Sequence, residues 1–291
     1  MHHVRRSLRC ALLLSVFASV PAWADDVSGR WHGQVEAISA HGDTTGRGDA
    51  IARRLDALGI AWKREAFERD GQAGENLVAD LGGPDKAPLL LIGAHYDKVA
   101  IGHGATDNAS GVAAVLELAQ ALKAKPLEHH RVQVVFWDLE EKGLLGAHAW
   151  VATAGREQPA LYVNFDVFGW GDTLWMMTPA AEGDSLLVAA LRAASRHEKL
   201  GFAAGDKYPP TDHLAFLKAG WPAVSFSLVG GDEIDPILAV FGGGKPAQVP
   251  KVMQVIHSER DTTAELDASR VDDALRVVEQ GLRAWDHQNA H

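Results

Sequence analysis

The chain is almost without cysteine. Its one thiol, Cys10, lies in a segment laid out like a secretion signal. Arg5, Arg6 and Arg9 make a basic start, Ala11–Val20 an apolar stretch, and Ala22-Trp23-Ala24 a small-x-small cleavage site. The apolar stretch is too short to span a bilayer. Residues 1–24 are therefore expected to be removed, leaving a chain that starts at Asp25 and is periplasmic or secreted. Such a chain has neither disulfides nor thiolate ligands, so any metal must be held by His and carboxylate. Positive charge is also scarce. Against 38 Asp and Glu stand 28 Lys and Arg, a net charge of −10, which becomes −13 once the three early arginines are gone. That balance argues against nucleic acid or an anionic membrane surface as a partner. Internal repeats, low-complexity stretches and composition breaks are missing too, so residues 25–291 read as a single domain.

Hydrophobic residues make up 47% of the chain, an ordinary share for a globular protein. Strand-like and helix-like segments alternate. Ala61–Glu68, Asn76–Leu81, Pro88–Ala94, Arg131–Leu139, Ala160–Val167 and Pro222–Leu228 read as strands, and Leu174–Thr178 as an edge strand. Arg47–Leu58, Gly111–Lys123, Gly143–Ala154, Asp184–His197, Thr211–Ala219 and Ala268–Trp285 read as helices, with Ser110 as a cap. Residues 25–42 carry no clear pattern, and Gly230–Pro250 reads as a long loop. The alternation predicts an α/β fold: a mixed, mostly parallel central sheet with helices on both faces.

Chemistry concentrates at the ends of the apolar runs. GAHYDKVAIGHGATDNASG (Gly93–Gly111) brings His95, Asp97 and Asp107 onto one strand end and the connection after it. His95 and Asp97 are two apart and share a face in an extended segment. Asp97 is thereby a candidate to orient the imidazole of His95. Glu140-Glu141 follows the next strand, Asp166 closes another, and Met253–His257 ends on His257. Parallel strands deliver their carboxyl ends to one sheet edge, where α/β proteins bind ligands. His95, Asp107, Glu141, Asp166 and His257 are five candidate ligands of a type that suits zinc. Five exceed the three that one catalytic zinc takes, but they suit two zinc ions sharing one carboxylate. Glu140 is left as a free carboxylate next to a ligand, which is what a general base requires. Taken alone, Glu140-Glu141 would pass for an ordinary acidic strand end.

In order along the chain stand GAHYD, GATDNASG, DLEEKGLLGA, NFDVFG, TDHLAFLKAGWPAV and IHSERDT. Together they resemble the co-catalytic zinc aminopeptidase family, which includes secreted bacterial leucyl aminopeptidases and zinc-dependent glutaminyl cyclases. The resemblance spans about residues 76–285. It implies a two-zinc exopeptidase acting on peptides, with His95 and Asp166 on one zinc, Glu141 and His257 on the other, and Asp107 between them. It further implies Glu140 as general base and, through its place before the fifth motif, Tyr208 as an oxyanion donor. Asp261 in the last motif is a candidate partner of His257 or a helix-start cap. A glutaminyl cyclase, a carboxypeptidase or dipeptidase, and a non-enzymatic relative remain as alternatives on the same scaffold. His32, His41, His103, His129, His130, His148, His197, His287 and His291 scatter without metal spacing and read as solvated. His213, inside the fifth motif, stands apart from them. The acidic residues of the long loop, Asp232, Glu233 and Asp235, are expected to offer a carboxylate to a substrate ammonium.

Overall fold

The computed structural model describes residues 26–179 and 185–288, so the expected signal segment and Asp184 lie outside the described residues. Its centre is β3 (Leu89–His95), whose seven residues are all buried. Side chains alternate across the strand. Leu90, Ile92 and Ala94 enter one hydrophobic layer, and Leu89 and Leu91 the other. At Gly93 an added Cβ would come within 2.8 Å of the Val135 carbonyl oxygen, so glycine lets the neighbouring strand close in just ahead of His95.

Around β3 lie β1 (Ala61–Arg69), β2 (Gln72–Gly82), β4 (Arg131–Trp137), β5 (Leu161–Phe168), β6 (Thr173–Met177), β7 (Gly201–Gly205) and β8 (Ala223–Val229). They form one eight-stranded sheet in the order β1-β2-β4-β3-β5-β8-β6-β7. The central four, β4, β3, β5 and β8, run parallel, so His95, the residues after Trp137 and Asp166 share one edge. The flanking pairs β1/β2, β2/β4 and β8/β6 are antiparallel. The sheet is mixed, with helices on both faces, as the alternation of segments predicted.

One face is covered by α1 (Val27–Ser39), α2 (Thr44–Ala57), α3 (Ser110–Ala124), α5 (Leu186–Glu198) and α9 (Val271–Gln288). The other is covered by α4 (Leu145–Ala152) and α6 (His213–Lys218). Helix α3 lies against the sheet with α1 and α9 outside it, which accounts for its narrow polar stripe. None of the helices among the described residues is long and apolar enough to cross a membrane.

Several elements differ from the expected ones, each for a physical reason. Residues 27–39 form α1 despite two glycines, because Trp31, Val35 and Ile38 recur on one face and are buried, and Asp26 caps the start through the Gly29 N–H. Ser110 does not cap α3. It lies inside the helix, and its hydroxyl donates to the Thr106 carbonyl. Strand β6 is interior rather than an edge, and β7, whose Gly-Phe-Ala-Ala-Gly composition gives no strand pattern, takes the edge. The supposed loop at 230–250 contains α7 (Ile234–Phe241). The run before His257 is α8 (Lys251–Val255), not a strand; it starts after Pro250, a residue suited to a helix start.

Trp31 is fully buried and its indole N–H donates to the Ser110 carbonyl at 3.0 Å, joining α1 to the start of α3. Trp31→Ala is expected to lower the unfolding free energy by about 3–5 kcal/mol, and Trp31→Phe by less. Urea denaturation of both variants checks this.

Candidate metal centre

The expected ligands meet at the carboxyl edge of the parallel strands. His95 ends β3 and is 1% exposed. Its Nε2 lies 3.2 Å from one oxygen of Asp107 and 3.6 Å from Asp166. The other oxygen of Asp107 lies 3.2 Å from His257 Nε2, which is 3.1 Å from Glu141. Asp107 thus turns one oxygen toward each imidazole. Two donor groups result, one of His95, Glu140 and Asp166 and one of Asp107, Glu141 and His257. Within the first, Glu140 stands off: each of its three members offers a donor within 4.8 Å, while Asp107 and Asp166 are nearer to His95.

The donor set fits zinc. Bonds of about 2.0–2.2 Å in a tetrahedron put donors roughly 3.3 Å apart, close to the 3.1–3.6 Å seen here. His95 Nε2, one oxygen of Glu141 and one of Asp166 are buried without a hydrogen-bond partner, although buried polar atoms are nearly always paired. The electrostatics agree. Burial works against a charged His95, yet Glu140 and contacts with Asp107, Asp166 and Asp97 hold its pKa well above the usual imidazole value. Hydrogen bonds to Asp107 and Glu141 push His257 up to about 10. Burial raises Glu140 well above the carboxylate range, and repulsion from Asp212, Asp166 and Asp107 adds to it against the pull of His95. The space between these groups calls for positive charge.

Local structure explains how each side chain is aimed. Asp97 lies 3.3 Å from His95 Nδ1 and accepts the N–H groups of Glu140 and Glu141 at 3.0 and 3.1 Å. It therefore fixes both the ring and the Glu140–Lys142 turn. Asp166 sits where the β5–β8 register slips between Phe165 and Phe168, a bulge that re-aims a side chain. Leu139, Val167 and His257 have φ of 57°, 55° and 55°. Such values are unusual for residues with a Cβ, most of all a β-branched one, and concentrate at functional sites. The Asn-Ala-Ser part of the second motif also has a task. Asn108 donates to the Phe165 carbonyl and accepts from the Gly111 and Val167 N–H groups. Ser110 accepts the Phe168 N–H at 2.9 Å. These bonds lock the Asp107 connection to the end of β5.

Asp261 does not partner His257. Its carboxylate accepts the backbone N–H groups of Thr106 and Asp107, at 2.6 and 3.3 Å, and burial pushes it up to about 6. It positions Asp107 instead, a placement that sequence distance hides. Tyr208 lines the cavity beside the centre, packed on Trp175, and its hydroxyl is bonded to Ser227, which in turn donates to the Asp166 carbonyl. Glu233 is consumed structurally by Trp170 Nε1 and the Val252 N–H, while Asp232 and Asp235 are exposed and do not line the cavity. The cavity, ≈ 220 Å³, has Glu140, Glu141, Asp107, Asp166 and His257 on its polar side. Its walls are Val167, Trp175, Val229, Ile237, Phe241 and Ile256, among others.

Two residues went unseen in the sequence. Asp212 is fully buried with both oxygens unpaired, and burial holds its carboxyl well above the usual range. Its place in the fifth motif, beside His213, was the available signal. Arg47 gave none: it reads as a polar helix residue. It is fully buried and donates to the carbonyls of Tyr96, His103 and Gly104 at 2.5, 3.0 and 3.1 Å. Burial lowers its pKa to about 10, against the pull of Asp97, Asp261, Asp107 and Glu141.

Fold and centre together define an α/β scaffold of the zinc exopeptidase type. The chain belongs to Peptidase family M28, which it matches over residues 76–281. It is 38% identical over 127 residues to leupeptin-inactivating enzyme 1 of Streptomyces exfoliatus, covering 42% of this chain and 28% of that protein. It is 35% identical over 211 residues to a probable leucine aminopeptidase 2 of Trichophyton verrucosum, covering 67% and 41%. The chain thus spans less than half the length of these relatives. Among solved structures, Porphyromonas gingivalis glutaminyl cyclase superposes with a TM-score of 0.69 at 20% identity, over 90% of this chain and 98% of that one. A zinc aminopeptidase from Bacillus subtilis superposes with a TM-score of 0.59 at 21% identity, over 73% and 50%.

Removing the Arg47 cation would take a donor from three carbonyls, of which only that of Gly104 keeps another, the Ala109 N–H, and would leave four carboxylates with less compensation. Arg47→Met is expected to cost about 3–5 kcal/mol of stability, the range for breaking a buried ionic contact. A lower denaturation midpoint in urea at unchanged slope is the expected readout.

Proposed function

We propose that the protein is a two-zinc aminopeptidase that removes apolar residues from the free amino end of peptides. The observation that carries this reading is Asp107, placed between two His-and-carboxylate groups on the floor of an apolar cavity. In this reading His95 and Asp166 would hold one zinc and Glu141 and His257 the other, with Asp107 available to both. Zinc in such a site supplies Lewis-acid chemistry, polarising a carbonyl and acidifying water. Glu140, which stands back from the nearer donors, takes the proton from the attacking water on a carboxylate oxygen. It then passes that proton to the departing amine as the C–N bond breaks. For Tyr208 to donate to the oxyanion it must exchange Ser227 for the substrate. Asp97 and Asp261 act only through the residues that they orient.

The cavity supports the substrate class. Its walls are mostly aliphatic or aromatic, which suits a buried apolar first side chain. The carboxylates beside the candidate metal ligands, rather than Asp232, Glu233 and Asp235, are then the groups that a free ammonium meets. The layout of residues 1–24 supports export, with cleavage after Ala24 and peptides from outside the cytoplasm as substrates.

Two adjacent residues separate the roles. Glu140→Gln is expected to retain about two zinc ions per chain and lose turnover by roughly a hundred- to ten-thousand-fold. Glu141→Gln is expected to lose zinc, as metal analysis beside single-turnover kinetics would show. If Glu140→Gln keeps most of its activity with zinc bound, the mechanism is wrong.

The peptide end is tested with one substrate in three forms: free, N-acetylated and C-amidated. Acetylation is expected to depress kcat/KM by tens-fold or more, on the order of 2 kcal/mol, with amidation having little effect. The opposite pattern would identify a carboxypeptidase, and ring closure of an N-terminal glutamine a cyclase.

A further inference from the structure

We propose that Glu128, His129 and His287 form a separate surface site for a divalent transition-metal ion of the zinc, nickel and copper group. Each offers one donor atom, and the three lie within 4.8 Å of one another. His287 Nδ1 is 3.8 Å from a Glu128 oxygen, and the two imidazole rings meet edge-on with centroids 6.0 Å apart. The trio sits just before β4, which begins at Arg131, and near the end of α9. It is therefore at the opposite edge of the sheet from the centre described above and shares no residue with it.

What distinguishes this trio from scattered surface histidines is the frame beneath it. Asp286 is buried, and its carboxylate accepts the N–H groups of Glu128 and His129 at 2.8 and 3.1 Å. The same carboxylate lies 2.8 Å from His130 Nδ1, and the His130 ring packs on Trp285 at 4.3 Å. His130 is thus a core residue rather than a solvated one. Arg283 donates to the Lys125 carbonyl at 2.8 Å. These bonds fix the backbone of residues 125–130 against the last turns of α9. Only three side chains remain to be ordered when an ion binds, which limits the entropic cost.

The donor chemistry selects the ion. Two imidazoles with one carboxylate suit zinc, nickel or copper(II), whereas calcium and magnesium prefer oxygen alone. Zinc needs its donors roughly 3.3 Å apart, so the side chains must close slightly. Glu128 and His287 are exposed and His129 half-buried, which leaves them free to do so. Three protein ligands leave the remaining positions to water, as in an open, exchangeable site. An ion there ties α9 to the connection leading into β4. Because it binds the folded arrangement, it raises stability by an amount that grows with the logarithm of the free ion concentration once that exceeds Kd.

The test uses the full chain with the centre of His95, Asp107 and His257 already filled with zinc, and it reads nickel binding and melting, not peptidase activity. Nickel uptake and melting temperature are measured for the wild type, for the double variant His129→Gln/His287→Gln and for Glu128→Gln. The wild type is expected to take up one nickel equivalent more than the double variant and to melt higher in nickel. The double variant should show no such shift. If the double variant does not fold, at least tenfold weaker nickel binding by Glu128→Gln supports the site. Equal nickel uptake, or equal melting shifts, in wild type and variants would overturn it.

Discussion

The structure depends on holding like charges together where water is scarce. Asp97, Asp107, Glu140, Glu141, Asp166, Asp212 and Asp261 all crowd the edge of the central strands, most of them buried. Carboxylates in such company repel one another, and burial strengthens the repulsion. Three kinds of positive or partly positive group offset it. Backbone N–H groups meet Asp97 and Asp261. The Arg47 guanidinium lies beneath the loop that runs from His95 to Asp107. The two imidazoles complete the set, and their elevated pKa values mark the places where cations are favoured.

The parallel core makes the crowding possible. Strands β3, β4 and β5 end side by side, so groups separated by dozens of residues come within a few ångströms. The connections then do the aiming. Asn108 and Ser110 bind the end of β5, Asp97 binds the turn after β4, and Asp261 reaches across from the segment after His257. Each acidic candidate ligand is thereby held by a neighbour from a different part of the chain. A change at any one of these supports is felt by a ligand on another element.

Much of this was legible in the sequence, where periodicity and residue chemistry coincide. The apolar runs ending in His95, Glu140-Glu141 and Asp166 located the strands and the sheet edge at once, because both faces of a parallel strand are buried. Helix α9 was legible from its stripe of Val271, Leu275, Val278 and Leu282. Other features were decided by partners distant in sequence. Helix α1 exists because Trp31 and Val35 find α3, not because its glycine-containing segment favours a helix. Strand β7 pairs with β6 although it has no apolar run. Arg47 looks like any surface arginine until the loop that it binds closes over it. Met253–Val255 has the composition of a strand, and only the packing of Val252 and Val255 against Trp170 and Ile237 shows it to be a helix.

Part of the cavity wall comes from a stretch of chain that carries none of its floor. Trp170, Trp175, Val229, Ile237, Val252 and Val255 form a small hydrophobic cluster of their own, apart from the two that flank the sheet. Ile237, Phe241, Met253 and Ile256 all fall between the end of β8 and His257, in a segment that supplies no metal-ligand candidate. The candidate ligands and this part of the wall are therefore encoded in separate stretches. Drift or recombination within residues 231–256 can reshape what the cavity accepts while the reactive edge stays intact. A lineage built on this scaffold can vary that part of the cavity by exchanging one short segment, as long as the replacement still packs on Trp170, Trp175 and Val229.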